Sequence, residues 1–201
     1  PDKDLPHTFK TLRTPLTPEP IQPDGPPRLA AALRRADAFE PPQADAVCPP
    51  LAAFCITAKT KIDFAPQNFQ QVAGLVLFYD TCNWIYAYIT WDERVNARTL
   101  QIMRCDFNDF TYGSEAVPLP DGEISLKVCV NGAEAQFYYK ADGGWQPLGD
   151  VQPADHLSDD YVETRRGRCA FTGAMVGICA QDMDAHQSHA DFAFFDYEEQ
   201  R

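Results

Sequence analysis

The stretch Gln181-Asp182-Met183-Asp184-Ala185-His186-Gln187-Ser188-His189-Ala190-Asp191 places three carboxylates and two imidazoles within eleven positions. Carboxylates so spaced in a loop suit a hard cation such as calcium, with Asp182, Asp184 and Asp191 as the candidate ligands. The two imidazoles, three apart, would suit zinc on a helix. The plain alternative is a polar connection between strands, where Asp and His gather for turn chemistry. Beyond that candidate calcium, no cofactor is expected.

Other chemistry has weaker support. Glycoside cleavage needs two carboxyl groups facing each other across a sugar, and with 29 acids some pair will meet that distance by chance. Most of these acids fall in turns and on solvent faces. No G-x-S-x-G elbow, glycine-rich phosphate loop or H-E-x-x-H pattern occurs. Exposed Trp and Tyr faces stack on pyranose rings. Trp84 and Trp91 are an odd number of positions apart, so on a regular strand they face opposite ways. Trp91, just before Asp92-Glu93, is the better candidate for sugar stacking; its alternative is a partly buried aromatic at a sheet edge.

Composition narrows the class. The chain has 201 residues, 45% of them hydrophobic and 12% aromatic, enough for one sizeable core. No apolar run reaches the roughly 18 residues a membrane helix needs, and the N-terminus PDKDLPHTFK has no apolar signal-like region. A soluble, cytoplasmic protein without membrane contact is expected. A net charge of -12 argues against nucleic acid as a partner. Seven scattered cysteines without a CxxC pair read as free thiols in a reducing compartment.

The elements that must position these residues are strands. Phe54, Ile56, Ala58, Ile62 and Phe64 alternate with polar neighbours, the period of a half-buried strand. Val72 to Tyr79 is a nearly unbroken apolar run, as in a strand covered on both faces. Asp80-Thr81-Cys82-Asn83 then turns the chain into Trp84-Ile85-Tyr86-Ala87-Tyr88-Ile89. A short strand, Thr99 to Cys105, precedes what reads as an aromatic loop with Phe107, Phe110 and Tyr112. Ile124, Leu126, Val128 and Val130 alternate up to Asn131-Gly132, a strong hairpin signal.

Ala154 to Tyr161 reads as one helical turn, Val162 to Ala170 as a charged, mobile loop, and Ala174 to Ala180 and Ala190 to Tyr197 as strands. Residues 1–50 hold 12 of the 17 prolines and are expected to be partly irregular, wrapped on the surface. Within them, Arg28 to Ala36 fits a helix or an edge strand equally well. The pattern as a whole indicates one all-β domain over 1–201, a two-sheet antiparallel sandwich whose main body is 51–201.

The stretch FAPQNFQQVAGLVLFYDTCNWIYAYITWDE resembles the C-terminal β-sandwich of family 43 glycoside hydrolases of the β-xylosidase type. That domain reads F-x-P-x-N-F-Q-Q-x-A-G-L-V-x-Y-Y-x-T-x-N-W at this place. The likeness continues through Leu157-Ser158-Asp159-Asp160-Tyr161, Phe171-Thr172-Gly173-Ala174-Met175-Val176-Gly177, Ala180-Gln181-Asp182 and His189-Ala190-Asp191-Phe192, and the domain's start resembles Leu5 to Arg13. The resemblance implies a concanavalin-A-like jelly roll that packs on a five-bladed catalytic β-propeller of the same polypeptide. It carries over no catalytic residue. The enzyme so implied hydrolyses β-1,4-xylosides and xylo-oligosaccharides, or α-L-arabinofuranosides, and the sandwich alone would be inactive.

In similar enzymes a phenylalanine of this sandwich stands at the mouth of the propeller pocket, and the matching position is Phe171; its alternative is an ordinary core residue. Here the glycine-rich run that usually precedes it is replaced by Thr164-Arg165-Arg166-Gly167-Arg168-Cys169-Ala170, so Arg165, Arg166 and Arg168 would charge and stiffen that loop. The expected partners are the propeller, a xylo-oligosaccharide at the interdomain pocket, and a second copy in a homo-oligomer. Two other functions compete: a stand-alone carbohydrate-binding module, and a sandwich enzyme with its own acid pair.

Overall fold

Residues 71–92 form the hairpin that the patterning demands. In the computed structural model, which describes residues 10–11, 29–32, 45–48, 50–51, 53–141, 143–167, 170–184 and 188–200, that hairpin lies inside a two-sheet sandwich. The strands are β1 (Lys10–Thr11), β2 (Leu29–Ala32), β3 (Asp45–Cys48), β4 (Cys55–Asp63), β5 (Gln71–Asp80), β6 (Asn83–Asp92), β7 (Ala97–Asp106), β8 (Asp109–Tyr112), β9 (Val117–Pro118), β10 (Ile124–Asn131), β11 (Glu134–Lys140) and β12 (Gln146–Pro153). A 3-10 turn (Ala154–Leu157) and the helix α1 (Asp159–Arg166) come next, then β13 (Met175–Asp182) and β14 (His189–Glu199).

One sheet runs β1-β3-β13-β5-β6-β7-β8, with β9 paired to β7. The other runs β12-β11-β10-β4-β14-β2, and every pairing is antiparallel. This is the all-β class expected. No helix among the described residues is long and apolar enough to cross a membrane.

The core lies between the sheets because alternation sends one side of each strand inward. Ala73, Leu75, Leu77 and Tyr79 of β5 meet Ile85, Ala87 and Ile89 of β6, and from the facing sheet Phe137, Phe192, Leu126 and Val128. Each buried aromatic or large aliphatic side chain contributes on the order of 1.5–3 kcal/mol. β5 is also covered on its outward side, where Val72 and Val76 join Tyr86, Tyr88, Cys48 and Cys179 in a second buried cluster. That double burial explains its unbroken apolar run. Gly74 sits where the neighbouring backbone leaves no room: a Cβ there would meet the Ala87 carbonyl oxygen at 2.0 Å.

Several local readings change. Arg28 to Ala36 contains an edge strand, β2, paired with β14. Most of the rest of the proline-rich segment lies outside the described residues. The aromatic loop after β7 is a tight hairpin: Phe107 and Asn108 both take positive φ, 52° and 69°, and Asp109–Tyr112 returns as a strand. Two positive φ angles in succession are the geometry of a type I′ turn, whose twist suits a two-residue hairpin. At the Asn131-Gly132 hairpin the register differs by one residue. Asn131 pairs with Glu134 as the last strand residue, and Gly132 takes the positive φ at the first loop position.

Candidate functional site

The 3-10 turn and α1 cover one end of the sandwich, where β5 and β7 finish and β6 begins. The stretch expected as a charged, mobile loop is in large part helical, and its ends show why. Ser158 caps the helix, its Oγ accepting from the Tyr161 amide at 3.2 Å, and Asp159 and Asp160 fill the first turn. Arg165 and Arg166 occupy the last turn, opposite in charge to the helix C-terminus, and Gly167 closes it at φ 65° with its N–H donating to the Glu163 carbonyl. The segment separates its charges between its two ends and buries only Val162, so apolar periodicity could not reveal it.

Asp159 is the anchor of this end of the sandwich. Its Oδ1 accepts from the Tyr79 hydroxyl at 2.6 Å and from the Gly173 amide at 3.2 Å. Tyr79 is a fully buried core residue of β5, so the bond ties the helix start and the Phe171-Thr172-Gly173 segment to the interior. The Tyr79 hydroxyl, together with the Gly173 and Thr172 amides, holds the Asp159 carboxyl below the usual range. Burial, and next the neighbouring Asp159, pushes the Tyr79 phenol up. Gly173 takes φ 70°, a conformation costly for other residues, which turns the chain sharply before β13.

Phe171, two residues before that turn, is 88% exposed. The alternative that it is ordinary sandwich core is therefore excluded by its position. Its phenyl ring stands in water on a braced segment, as other exposed aromatics of the chain such as Phe54 and Phe69 also stand in water.

Two of the neighbouring arginines, expected to charge and stiffen a loop, sit in the last turn of α1 and pack down on the fold. The Arg165 guanidinium lies 5.3 Å from the Phe107 ring centroid and 5.4 Å from that of Tyr161. Arg166 lies 5.7 Å from Phe107 and pairs with Asp80 at 2.7 Å. Arg168 lies outside the described residues. Beneath them Asp106 accepts from the Tyr161 hydroxyl at 2.8 Å and meets His156 Nδ1 at 3.0 Å, while His156 stacks on Tyr161 with centroids 4.0 Å apart. Phe107, at positive φ, is packed by Tyr161 on this underlay, which is what sustains its strained backbone. Sequence reasoning missed this framework because its members are scattered between residues 79 and 173; only the Asp-Asp-Tyr run hinted at it.

The carboxylates at this end, Asp80, Asp106 and Asp159, are each tied to an arginine, a histidine or a tyrosine. Their arrangement supplies shape and rigidity rather than a pair of acids facing across a gap.

Two other candidate sites take different roles in the fold. Trp91 shares its face of β6 with Ile85, Ala87 and Ile89, pairs with Arg98 and is half-buried, so it is not an outward platform. Trp84 takes the outward face, half-buried against Tyr86 and Phe110. Among the described residues no group of three or more His, Cys, Asp or Glu side chains could hold a metal ion, which corrects the calcium trio. Asp182 is wholly buried and accepts from Gln71 Nε2, the Asp184 amide and the Ser188 amide; Asp184 accepts from Asn68. Asp191 lies in β14, in register with Asp63 of β4. The first two carboxylates organise the loop, and the third belongs to a strand; His186 lies outside the described residues.

The family model of the β-xylosidase C-terminal concanavalin A-like domain matches residues 1–198. A β-xylosidase of Bacillus subtilis is 36% identical over 148 residues, and a putative β-xylosidase of Escherichia coli 34% over 150. These alignments cover 71% and 72% of the chain, which spans only 27% of the length of either relative. The crystal structure of a xylan β-1,4-xylosidase from Bacillus halodurans superposes with a TM-score of 0.83 at 28% identity, over 98% of this chain and 37% of that one. A family 43 protein of Bacillus licheniformis, at 23% identity, shares the fold with a TM-score of 0.85, over 99% of this chain and 38% of that one.

Proposed function

Because the chain belongs to the family of β-xylosidase C-terminal concanavalin A-like domains, we propose that it packs on the catalytic β-propeller of a family 43 glycoside hydrolase and walls one side of that domain's pocket with Phe171. The observation that carries this reading is the exposed phenyl ring on a segment anchored through Asp159 to Tyr79. The reaction belongs to the propeller. Its substrates on this reading are β-1,4-xylosides and xylo-oligosaccharides, cleaved with inversion, with α-L-arabinofuranosides as the second class; the names of the relatives support both.

The chain's part is mechanical and dielectric. An aromatic wall displaces water from the mouth of a pocket and shortens it, so that the non-reducing end of a small saccharide fits and longer occupancy is blocked. The helix α1 and the Tyr79–Asp159 bond set the wall's position, and a wall displaced by about 1 Å loses much of its effect on a bound substrate. Six free thiols among the described residues, three of them buried, support the expected reducing, cytoplasmic setting.

The test is made in the complete enzyme. Phe171→Ala is expected to lower kcat/KM for a nitrophenyl xyloside by about tenfold, equivalent to about 1.4 kcal/mol of transition-state stabilisation, at unchanged melting temperature. Unchanged kcat/KM in a folded variant would overturn the wall.

A further inference from the structure

We propose that the catalytic domain of the same polypeptide docks on the outer face of the sheet that ends at β8, through an apolar row crossing five strands. This rests on the reading that such a domain lies against the Phe171 end. The row follows from register. Met175 of β13 pairs with Phe78 of β5, Phe78 with Trp84 of β6, Trp84 with Cys105 of β7, and Cys105 with Phe110 of β8. Directly paired residues share one face of a sheet, so these five side chains stand side by side. The next row, Gly177, Val76, Tyr86, Met103 and Tyr112, is aligned in the same way.

Neither row holds a charge, in a chain whose net charge is -12. The outer face of the other sheet differs. There Lys59 pairs with Glu198 at 3.2 Å and Asp196 at 3.5 Å, Lys61 pairs with Glu123, and Lys127 lies 4.3 Å from the Tyr138 ring centroid. That face is built for water. On the uncharged face Phe110 and Tyr112 are 62% and 69% exposed, and Met175, Phe78, Trp84 and Met103 are half-buried. Phe110 meets Trp84 with centroids 6.0 Å apart, so the exposed ring continues the row. A single exposed ring needs no explanation, but a contiguous uncharged row marks a surface that something covers.

Position and size select the occupant. Met175 lies four residues beyond Phe171, past the turn at Gly173, and Phe78 lies two before Asp80, whose carboxylate binds Arg166 of α1. The row therefore runs along the corner where the sheet meets the α1 end, and a body seated over Phe171 reaches it by turning that corner. Five strands span about 19 Å and two rows about 7 Å along them, so the face offers a few hundred Å². Association of separate molecules needs roughly 800 Å² from each partner, which argues against a second copy. A domain tethered by the chain itself is held at millimolar effective concentration, where a smaller contact suffices. The chain spans only 27% of the length of its Bacillus subtilis relative, which leaves most of that length to supply such a domain.

Hydroxyl-radical footprinting read by tandem mass spectrometry, on the complete enzyme and on this chain alone, tests the docking. Phe110 and Tyr112 are expected to oxidise more slowly in the complete enzyme by about fivefold or more, because a packed interface excludes water. Trp145, beside Lys127 on the other sheet, should be unchanged. Phe110→Glu/Tyr112→Glu is expected to leave the melting temperature of the chain alone unchanged. In the complete enzyme it should return Trp84 and Met103 to the oxidation rates they show in the variant chain alone. Equal oxidation of Phe110 and Tyr112 in both proteins would overturn the docking, and so would protection in the chain alone that grows with its concentration, as a second copy would give. Phe171 is read in the same spectra. Protection of Phe171 with the row open would overturn the docking and keep the wall; protection of the row with Phe171 open would keep the docking and count against the wall.

Discussion

The Tyr79 hydroxyl donates to Asp159 Oδ1 at 2.6 Å, joining the buried end of β5 to the first turn of α1 across 80 residues of sequence. A neutral donor from the core thereby fixes a charged acceptor at the surface, and the same carboxylate receives the Gly173 amide two residues beyond Phe171. The bond links the sandwich interior to the segment that displays the phenyl ring.

Tyr79→Phe keeps the ring in the core and removes the donor. Hydrogen bonds to charged groups contribute roughly 1.5–3 kcal/mol, and the variant is expected to lose about that much stability in urea denaturation. Amide exchange at Gly173 is expected to speed up, whereas exchange in the β10–β11 hairpin should change only with global stability.

Acid sensitivity arises from the depressed Asp159 pKa. The folded state binds that proton more weakly than the unfolded chain does, so the contribution is fully present above the ordinary carboxylate range and fades as pH falls through it toward the lower folded value. On the alkaline side, the raised Tyr79 pKa makes its contribution complete below the ordinary phenol value and lost as pH rises through the folded one. Melting curves of the Tyr79→Phe protein should therefore show a smaller drop at both extremes than those of the parent.

Phe171→Ala is expected to shift the stability of the chain itself by no more than about 0.5 kcal/mol, as surface substitutions do. A loss of several kcal/mol, measured by denaturant titration, would show that the ring packs in the fold after all.

Gly74→Ala is expected to cost about 3 kcal/mol or more, because the added carbon at 2.0 Å from a carbonyl oxygen can be relieved only by moving the strand. Its solubility and near-ultraviolet circular dichroism report the outcome; native-like signals with parent stability would contradict the close approach.

Ser158→Ala removes the cap of α1 and is expected to cost about 1 kcal/mol. Because the helix start also carries Asp159, the loss should be accompanied by faster exchange at Gly173, a readout that capping alone at a distant helix would not move.

Strand patterning in the sequence was sufficient for the class and for most of the strands. Val72 to Tyr79 had to be doubly covered, and the cluster of Cys48, Tyr86 and Tyr88 on its outer side shows the reason. Alternation also placed Trp84 and Trp91 on opposite faces, but it could not say which face was core. Trp91 turned inward because its parity matches Ile85 and Ile89. The loop aspartates had the types and spacing of metal ligands, and Asp182 instead spends its oxygens on Gln71 and on loop amides.

By itself the sequence determined that the chain alternates as antiparallel strands and where most turns fall, since those depend on neighbours two to four positions apart. It did not determine that Val162 to Arg166 is helical, that Phe171 stands in water, or that Met175, Phe78, Trp84 and Phe110 fall in one row. Those features rest on partners far apart along the chain, Tyr79 with Asp159 and Phe78 with Met175. Only the closing of two sheets on one core brings such pairs within bonding distance, so only the tertiary structure could decide them.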